Sequence, residues 1–349
     1  MKYIMNIYIT KKYPNEKNAG KKAPDDIDYI CKNMGWKEFN MKLVEEDDGF
    51  FKKMYVFLVS LPLQWMRLGI KKSNYILYQH PMGFGIEVAT VAFQIIKKIF
   101  HTHIVVLIHD LNSLRLKKKN TFEKKLLKQA DVIICHNYKM KEYLVDIGLK
   151  NEKIVCLTLF DYLCGKNVIT KTMASNKLSI AIAGNLSPKK SGYIYELAKN
   201  NPKLNINLYG EGYDDTEKMN NICYKGSFTP EELPNKIEGS FGLVWDGQVI
   251  DSCSGNYGEY QKYNNPHKFS LYMASEIPVI IWKKAALAKF VEENNVGIVV
   301  DDIQNIQNVL QEIDEKNYFD MVMNVKKIAE KVRDGYYFKT AVKVAMNEN

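Results

Sequence analysis

Short apolar runs alternate with amphipathic stretches along the first half of the chain. The runs are rich in β-branched and aromatic residues and are predicted to form strands, while the stretches between them have the spacing of helices with one buried face. Strands that alternate with helices are typical of a parallel sheet covered by helices on both faces. The predicted strands are 3–9, 75–79, 104–109, 132–136 and 153–157, and the predicted helices are 25–34, 52–68, 85–99, 122–128 and 138–147.

The pattern weakens between residues 161 and 177 and restarts in the second half. The predicted strands there are 178–184, 204–209, 222–224, 241–245, 278–281 and 297–300, and the predicted helices are 192–199, 229–237, 266–274, 285–293 and a long one from about 318. We therefore predict one α/β domain over 1–165, a second over 177–320, and a C-terminal helix over 321–349 that can pack back on the first domain. The boundary is expected within 165–176.

The composition is that of a globular protein with room for two cores. The 349 residues are 46% hydrophobic and 26% charged, which excludes a disordered or collagen-like chain. The net charge of +9 fits an anionic substrate, nucleic acid or an anionic membrane surface. Six scattered cysteines without a CxxC pair favour a reducing cytoplasm.

Two apolar stretches raise the question of targeting or membrane contact. The run 1–10 is predicted to be the first strand rather than a signal peptide, because its apolar part is short and no cleavage site follows. The stretch 54–70 is shorter than the about 20 residues of a membrane span, and Pro62, Gln64 and Arg67 interrupt it. A buried helix and a helix that docks at a membrane interface both stay open for it.

The stretch NNPHKFSLYMA, residues 264–274, has the signals of a helix that begins at an anion site. Asn265 suits the N-cap, and Pro266 suits the first helical position. Helix N-termini carry unpaired N–H groups and a partial positive charge, to which His267 and Lys268 would add. The expected anion is either one from solvent or the diphosphate of a nucleotide-linked substrate.

Loops of the first half carry further candidate chemistry. Gly20 and Lys21 lie in a basic loop after the first strand, which either contacts substrate or is solvated. His109 and Asp110 follow a buried strand, where such a pair can move a proton, although each could instead cap an element. The run 115–128 holds seven basic residues and one acid, and is either a solvated face or a contact for an anionic membrane or a lipid diphosphate.

Glycine turns follow three predicted strands of the second half and would let a ligand approach the backbone. They contain Gly184-Asn185, Gly210 and Asp246-Gly247. None matches GxGxxG or a P-loop, so dinucleotide binding and Walker-type ATP hydrolysis lose support. The polar stretch 248–263 is long for a connection, and long ordered loops are often functional. No spaced DxD pair stands on a strand end, so we predict no metal site and no cofactor.

The runs FGLVWDG, YNNPHKFSLYMASEIPVII and VGIVV together resemble the C-terminal region of bacterial GT-B glycosyltransferases. The resemblance is to the group that contains adhesin-modifying glucosyltransferases and galactofuranosyltransferases of surface-polysaccharide clusters. NAGKKAPDDI, MGW and IHDLNSLR look like the N-terminal region of the same group. The resemblance covers nearly the whole chain and implies an α/β fold with two Rossmann-like parallel-sheet domains that face each other across a cleft.

The resemblance also implies a donor and an acceptor. A UDP-sugar is expected on the second domain, and a glycan, lipid-linked glycan or glycoprotein acceptor on the first, with Gly20 and Lys21 on the acceptor side. Asp110, or failing that His109, would lie near the acceptor hydroxyl as the base. The residues expected to bind the donor are Gly184, Asn185, Gly210, Asp246, Tyr263, Asn265, His267 and Lys268.

One departure concerns the donor sugar. Ser275-Glu276 stands where the group usually has Ala-Gly before the PVI run, and the Glu could alter contacts with the sugar.

Two functions of different classes follow from these observations. The first is a metal-independent, inverting hexosyltransferase, for which galactofuranose is favoured over glucose as the transferred sugar. It is expected in the cytoplasm, either free or bound peripherally to the inner face of the membrane. The second is a non-catalytic subunit that binds a nucleotide-sugar or a polyanion. Nucleic acid is not expected, because aromatic residues are not interleaved with the basic run. The helix 52–68 could also join subunits of a homo-oligomer.

Overall fold

The computed structural model describes residues 5–11, 19–45, 47–117, 120–164, 178–216 and 219–347. The chain divides into two compact units. Unit 1 consists of Met1–Leu157 with Phe338–Asn349, and unit 2 consists of Thr158–Tyr337. The boundary predicted within 165–176 lies outside the described residues.

Unit 1 is built on a parallel sheet. Its strands are β1 (Asn6–Thr10), β2 (Lys37–Asn40), β3 (Tyr75–His80), β4 (His103–Ile108), β5 (Val132–Cys135) and β6 (Ile154–Cys156). They pair in the order β2-β1-β3-β4-β5-β6. The central strand β4, HIVVLI, is buried after its first residue because helices cover both faces of the sheet. The edge strand β2 was not predicted, since its sequence KEFN is polar and mostly exposed.

The helices of unit 1 are α1 (Lys22–Asn33), α2 (Phe50–Tyr55), α3 (Leu61–Ile70), α4 (Ile86–Ile95), α5 (Asn112–Arg115), α6 (Thr121–Gln129) and α7 (Tyr138–Asp146). The regular helix predicted over 52–68 is wrong in one respect, because the π-helical turn Val56–Ser60 joins α2 to α3. A second π-helical turn, Ile96–Phe100, extends α4. Wide turns of this kind are rare and occur frequently at functional sites.

Unit 2 repeats the architecture with a second parallel sheet. Its strands are β7 (Ser179–Ala183), β8 (Asn205–Tyr209), β9 (Ile222–Tyr224), β10 (Phe241–Val244), β11 (Val279–Trp282) and β12 (Gly297–Val300). They pair in the order β12-β11-β10-β7-β8-β9. Every strand predicted from the apolar runs coincides with an observed strand, and the prediction of two parallel-sheet α/β units is confirmed.

The remaining helices are α8 (Pro188–Ser191), α9 (Tyr193–Asn200), α10 (Leu233–Lys236), α11 (Gly255–Tyr260), α12 (His267–Ala274), α13 (Ala288–Asn294), α14 (Ile306–Glu312), α15 (Glu315–Asp334) and α16 (Tyr336–Ala345). Of the helix predicted over 229–237, only the four residues of α10 are α-helical. The polar stretch 248–263 contains α11. The long C-terminal helix is interrupted at Gly335, whose φ of 75° ends α15. Among the described helices, none combines the length and the apolar character that crossing a bilayer requires.

Candidate functional site

The glycine turns of unit 2 meet at the carboxyl ends of neighbouring strands. Gly184 follows β7, and Gly210 follows β8. A Cβ atom at Gly210 would lie 1.8 Å from the carbonyl oxygen of Gly184, so only glycine allows the two backbones to approach this closely. The N–H of Gly184 donates to the carbonyl of Tyr209 over 2.9 Å. The backbones of these two glycines are therefore in contact at the carboxyl edge of the sheet.

Asn185 shapes the loop between β7 and α8. Its side-chain oxygen accepts the N–H of Ser187 over 2.9 Å, and its carbonyl accepts the hydroxyl of Ser191 over 2.8 Å. The loop after β10 is tied to the same helix, because the N–H of Gly247 donates to the carbonyl of Lys190 over 2.8 Å. The turns after β7 and β10 thus form one continuous rim.

The predicted residues Asp246 and Lys268 form an ion pair at this rim. Lys268 Nζ donates to Asp246 Oδ1 over 2.9 Å and to the carbonyl of Trp245 over 3.0 Å. The Asp246 side chain is 9% exposed and that of Lys268 is 14% exposed. Gln261 Nε2 donates to the other carboxylate oxygen over 3.0 Å. Both oxygens of Asp246 are therefore engaged, and the ammonium is held at the start of α12.

The start of α12 differs from the prediction by one residue. The helix begins at His267, and Pro266 is the N-cap, with an extended ψ of 129°. The prediction of Asn265 as N-cap is wrong, because its buried amide instead donates to the carbonyl of Thr158 over 2.9 Å. The His267 ring stacks on Tyr162 with centroids 5.1 Å apart.

Tyr272 fixes α12 against the sheet. Its hydroxyl accepts the N–H of Ala183 over 3.0 Å and lies 3.1 Å from the carbonyl oxygen of Ala181. A Cβ atom at Gly242 would lie 2.3 Å from the Tyr272 ring, so glycine in β10 makes room for it. Burial raises the pKa of Tyr272, which keeps the phenol neutral. Tyr263, half-buried, donates its N–H to the carbonyl of Tyr260 in the turn after α11.

In unit 1 the predicted His109 stands at the end of a hydrogen-bonded chain. His109 Nε2 lies 2.6 Å from Gln79 Oε1. Since Gln79 Nε2 donates to Asp28 Oδ1 over 2.7 Å, the Gln79 oxygen is the acceptor and His109 Nε2 is the donor. Thr10 also donates to Asp28. Burial raises the pKa of Asp28 to about 7, although the hydrogen bonds from Thr10 and Gln79 act to lower this pKa.

The predicted Asp110 has a different environment. Its Oδ2 accepts from Arg115 over 2.6 Å, and Arg115 also donates to the side chain of Asn112 over 3.1 Å. The Arg115 guanidinium fixes the orientation of this carboxylate and balances its charge.

The loop that carries Asp110 is held by Glu123, which the sequence placed in a run of mostly basic residues. Glu123 is buried, lies 2.9 Å from His80 Nε2, and accepts the N–H groups of Asn112 and Ser113. Burial acts to raise the pKa of Glu123, but hydrogen bonds from His80 and Ser113 outweigh it and lower the pKa.

The basic loop after β1 is described only in part. Ala19–Lys21 forms a turn of 3-10 helix, in which Gly20 is exposed and Lys21 is half-buried. The helix that follows begins at Lys22, earlier than predicted. Residues 12–18 lie outside the described part of the chain. Within the described ranges, no group of three or more His, Cys, Asp or Glu side chains has the arrangement of a metal site.

Sequence reasoning missed the residues that hold the predicted ones in place. Gln79 and Asp28 orient His109, and Gln261 orients Asp246. One signal was available for Gln79: polar residues at the carboxyl end of an apolar strand point to a site. Asp28 and Gln261 lie within or after helices and carried no signal in the sequence.

Two family models match the chain. The model of the glucosyltransferase 3-like N-terminal domain matches residues 3–159, and that of the C-terminal domain matches residues 180–345. The chain is 33% identical to beta-1,6-galactofuranosyltransferase WbbI of Escherichia coli (strain K12) over 296 residues, which cover 83% of this chain and 84% of the relative. It is 24% identical to glucosyltransferase 3 of Streptococcus gordonii over 330 residues, or 93% of each chain.

The fold also has solved counterparts. Lipopolysaccharide outer core galactosyltransferase WaaB in its apo form matches with a TM-score of 0.64 over 99% of this chain and 100% of that chain. At 11% identity this likeness concerns the fold. It agrees with the two six-stranded parallel sheets and with the GT-B fold expected from the resemblance. The chain belongs to the glucosyltransferase 3-like family and is a glycosyltransferase with the GT-B fold.

Proposed function

We propose that the protein transfers a hexosyl residue from a UDP-sugar to a glycan or glycoprotein acceptor in the synthesis of a cell-surface polysaccharide or glycoprotein. Galactofuranose is the favoured sugar, because the relative with 33% identity is a beta-1,6-galactofuranosyltransferase, and glucose is the second candidate. A lipid-linked glycan is included among the acceptors. The observation that carries the proposal is the held ammonium of Lys268 at the start of α12, beside the glycine turns of unit 2.

The donor diphosphate needs positive charge as UDP leaves. An ammonium has three N–H donors, and Lys268 directs two of them to Asp246 and to the carbonyl of Trp245. The third is available for a phosphate oxygen. Because Asp246 balances the charge of Lys268, part of the positive potential at the diphosphate would come from the first N–H groups and the positive dipole end of α12. Asp246 and Gln261 act as positioning residues that fix the ammonium.

The other predicted residues are assigned by their places at the same edge. Gly184, Asn185 and Gly210 would let the nucleotide or sugar approach the backbone. Tyr263 and His267 would border the sugar. Asn265, whose amide holds Thr158, would shape this pocket rather than cap the helix.

The acceptor hydroxyl needs a base in an inverting displacement. The sequence ranks Asp110 first and His109 second, and we keep this order. The Asp110 side chain is 30% exposed, whereas His109 donates from Nε2 to Gln79 and its Nδ1 is buried, so neither ring nitrogen is presented to an acceptor hydroxyl. Arg115 would then orient Asp110 next to the acceptor, with Gly20 and Lys21 on the acceptor-side loop.

The proposed reaction uses no metal. Charge on the leaving diphosphate is assigned to Lys268 and α12. We place the reaction in the cytoplasm, which fits six cysteines that are all free. Activity that survives a chelator would support both the charge assignment and the absence of a metal requirement.

The experiment that tests the function is a panel of UDP-sugars, scored by thermal stabilisation and by UDP release with and without glycan acceptors. We expect one UDP-hexose to bind and to be consumed slowly without acceptor. Lys268→Ala should strongly reduce stabilisation by UDP, while Asp110→Asn should keep it and lose turnover. The alternative, a non-catalytic binding subunit, is favoured if UDP-sugars bind and no acceptor or water ever releases UDP. Binding of polyanions with steep salt dependence and no UDP binding would also contradict the transferase.

A further inference from the structure

A broad apolar face lies on the outside of unit 1. It is formed by α2, α3 and α4 with their two π-helical turns. Phe50 and Phe51 at its end are 72% and 79% exposed, and large apolar side chains continue along the helices. The exposed members include Leu58, Met66 and Ile70 on one helix and Ile95 on the other. Contiguous exposed apolar surface of this extent marks an interaction site. We call these residues the docking face.

The docking face contains a groove between its two helices. The groove has a volume of about 430 Å³. Leu58, Pro62 and Met66 form one wall, Ile95 lies on the other, and Trp65 is at the floor. Glu87 is the one charged residue among its described lining residues. Gly69 permits the close packing behind it, since a Cβ atom there would lie 2.5 Å from the ring of Phe100. The groove therefore accepts hydrocarbon and offers little to a polar ligand.

Basic residues border the face. The stretch 50–72 contains five Lys or Arg residues and no acid. Lys52 is already paired with Asp48 over 2.5 Å. Arg67, Lys71 and Lys72 are all exposed, and the Lys71 ammonium lies over the ring of Phe39, 5.1 Å from its centroid. This combination of an apolar stripe and a basic border is the character of a surface that lies in the plane of an anionic membrane.

Charge also decides between a bilayer and a second copy of the chain. A twofold dimer would place the same patch against itself, and the stretch 50–72 brings no acid to pair with Arg67, Lys71 and Lys72. An anionic bilayer offers the opposite charge together with hydrocarbon for Phe50 and Phe51. We propose that the docking face binds the protein peripherally to a bilayer that contains anionic phospholipid, with Trp65 and the groove next to the acyl chains.

The test is flotation of the full chain with phosphatidylcholine vesicles, with and without phosphatidylglycerol, at low and at physiological salt. We expect binding that requires phosphatidylglycerol and weakens as salt rises. Phe51→Ser should lower the partition coefficient about tenfold. The matched change Phe319→Ser, at a 46% exposed phenylalanine of unit 2, should leave it unchanged. Lys71→Gln should lower it about fivefold. All of these residues are exposed, so the fold should persist, and UDP binding provides the check.

A second measurement locates the contact. Phosphatidylcholine with a spin label on its acyl chain should quench tryptophan fluorescence on binding, and Trp65→Phe should remove most of the quenched signal. No binding to phosphatidylglycerol vesicles at low salt would overturn the proposal. So would binding that Phe51→Ser leaves intact, or binding without quenching of Trp65. Conversion of an oligomer to a monomer by Phe51→Ser, without any vesicle binding, would assign the face to a second copy instead.

Discussion

Asp28 gives the sharpest test of the unit 1 site, because its protonation couples folding to pH. The carboxyl group is held by Thr10 and Gln79, and burial raises its pKa from 3.8 to about 7, with smaller contributions from the charges of Asp25 and Glu38. The folded state therefore keeps a proton that the unfolded chain releases. The stability that this proton supplies is complete below about pH 4 and is lost as the pH rises through about 7.

The magnitude follows from the size of the shift. A rise from 3.8 to about 7 corresponds to about 4 kcal/mol of unfolding free energy over the whole range. Between about pH 5 and about pH 8 the expected loss is about 2.5 kcal/mol, an upper limit because water reaches part of the side chain. Asp28→Asn keeps an oxygen for Gln79 and removes the ionisation. The stability of the variant relative to that of the wild type should therefore rise by up to about 2.5 kcal/mol between about pH 5 and about pH 8.

The assay is urea unfolding of both proteins at the two pH values. Trp36 and Trp65 report on unit 1, so the fluorescence is best followed in chains that carry Trp245→Phe and Trp282→Phe. Asp25→Asn, at an exposed carboxylate of the same helix, is the control and should keep nearly the pH dependence of the wild type, because Asp28 still ionises in it. A difference between wild type and Asp28→Asn that stays constant from pH 5 to pH 8 would refute the proposed ionisation.

Further predictions concern unit 2. Lys268→Ala should weaken UDP binding at least about tenfold in calorimetry, since a charge-assisted hydrogen bond contributes about 1.5–3 kcal/mol; unchanged affinity would remove Lys268 from the donor site. Gly210→Ala should destabilise the protein by at least about 2 kcal/mol in thermal unfolding, because its φ is 138° and its Cβ would meet Gly184. Glu276→Gly should cost about 1–2 kcal/mol, because the loss of the 3.0 Å ion pair with Arg333 exceeds the relief of a positive φ. The same variant should keep the donor-sugar preference, and a changed preference would mean that Glu276 reaches the sugar. Turnover measured with excess EDTA should equal turnover without it.

The sequence predicted the sheets well because their strands are apolar runs with little ambiguity. It missed β2, whose polar edge sequence has no such signature. It also missed the π-helical turns, since the apolar spacing of 52–68 is nearly the same for both helix types. These limits are physical, because edge strands and helix widening depend on neighbours that lie far apart in the chain.

The sequence predicted which residues belong to the candidate site better than it predicted the contacts between them. Asp246 and Lys268 were both named, but their pairing is a property of the fold and no spacing in the sequence encodes it. Glu276 shows the same limit. From the sequence, Glu276 was only a departure from the glycine of the group. In the structure its carboxylate accepts a hydrogen bond from Arg333, and its backbone has a φ of 58°.

The discontinuity of unit 1 has a consequence for how the protein is made. Phe338, Ala341 and Val342 are buried in α16, and Tyr75 of β3 donates its hydroxyl to the carbonyl of Met346 over 3.3 Å. The ribosome delivers the first half of the polypeptide early, yet the segment that completes its core emerges only after unit 2. Unit 2 can fold during translation, whereas the amino-terminal half must wait for α16, and a message cut short before α16 would yield a protein whose first-made half is unfinished.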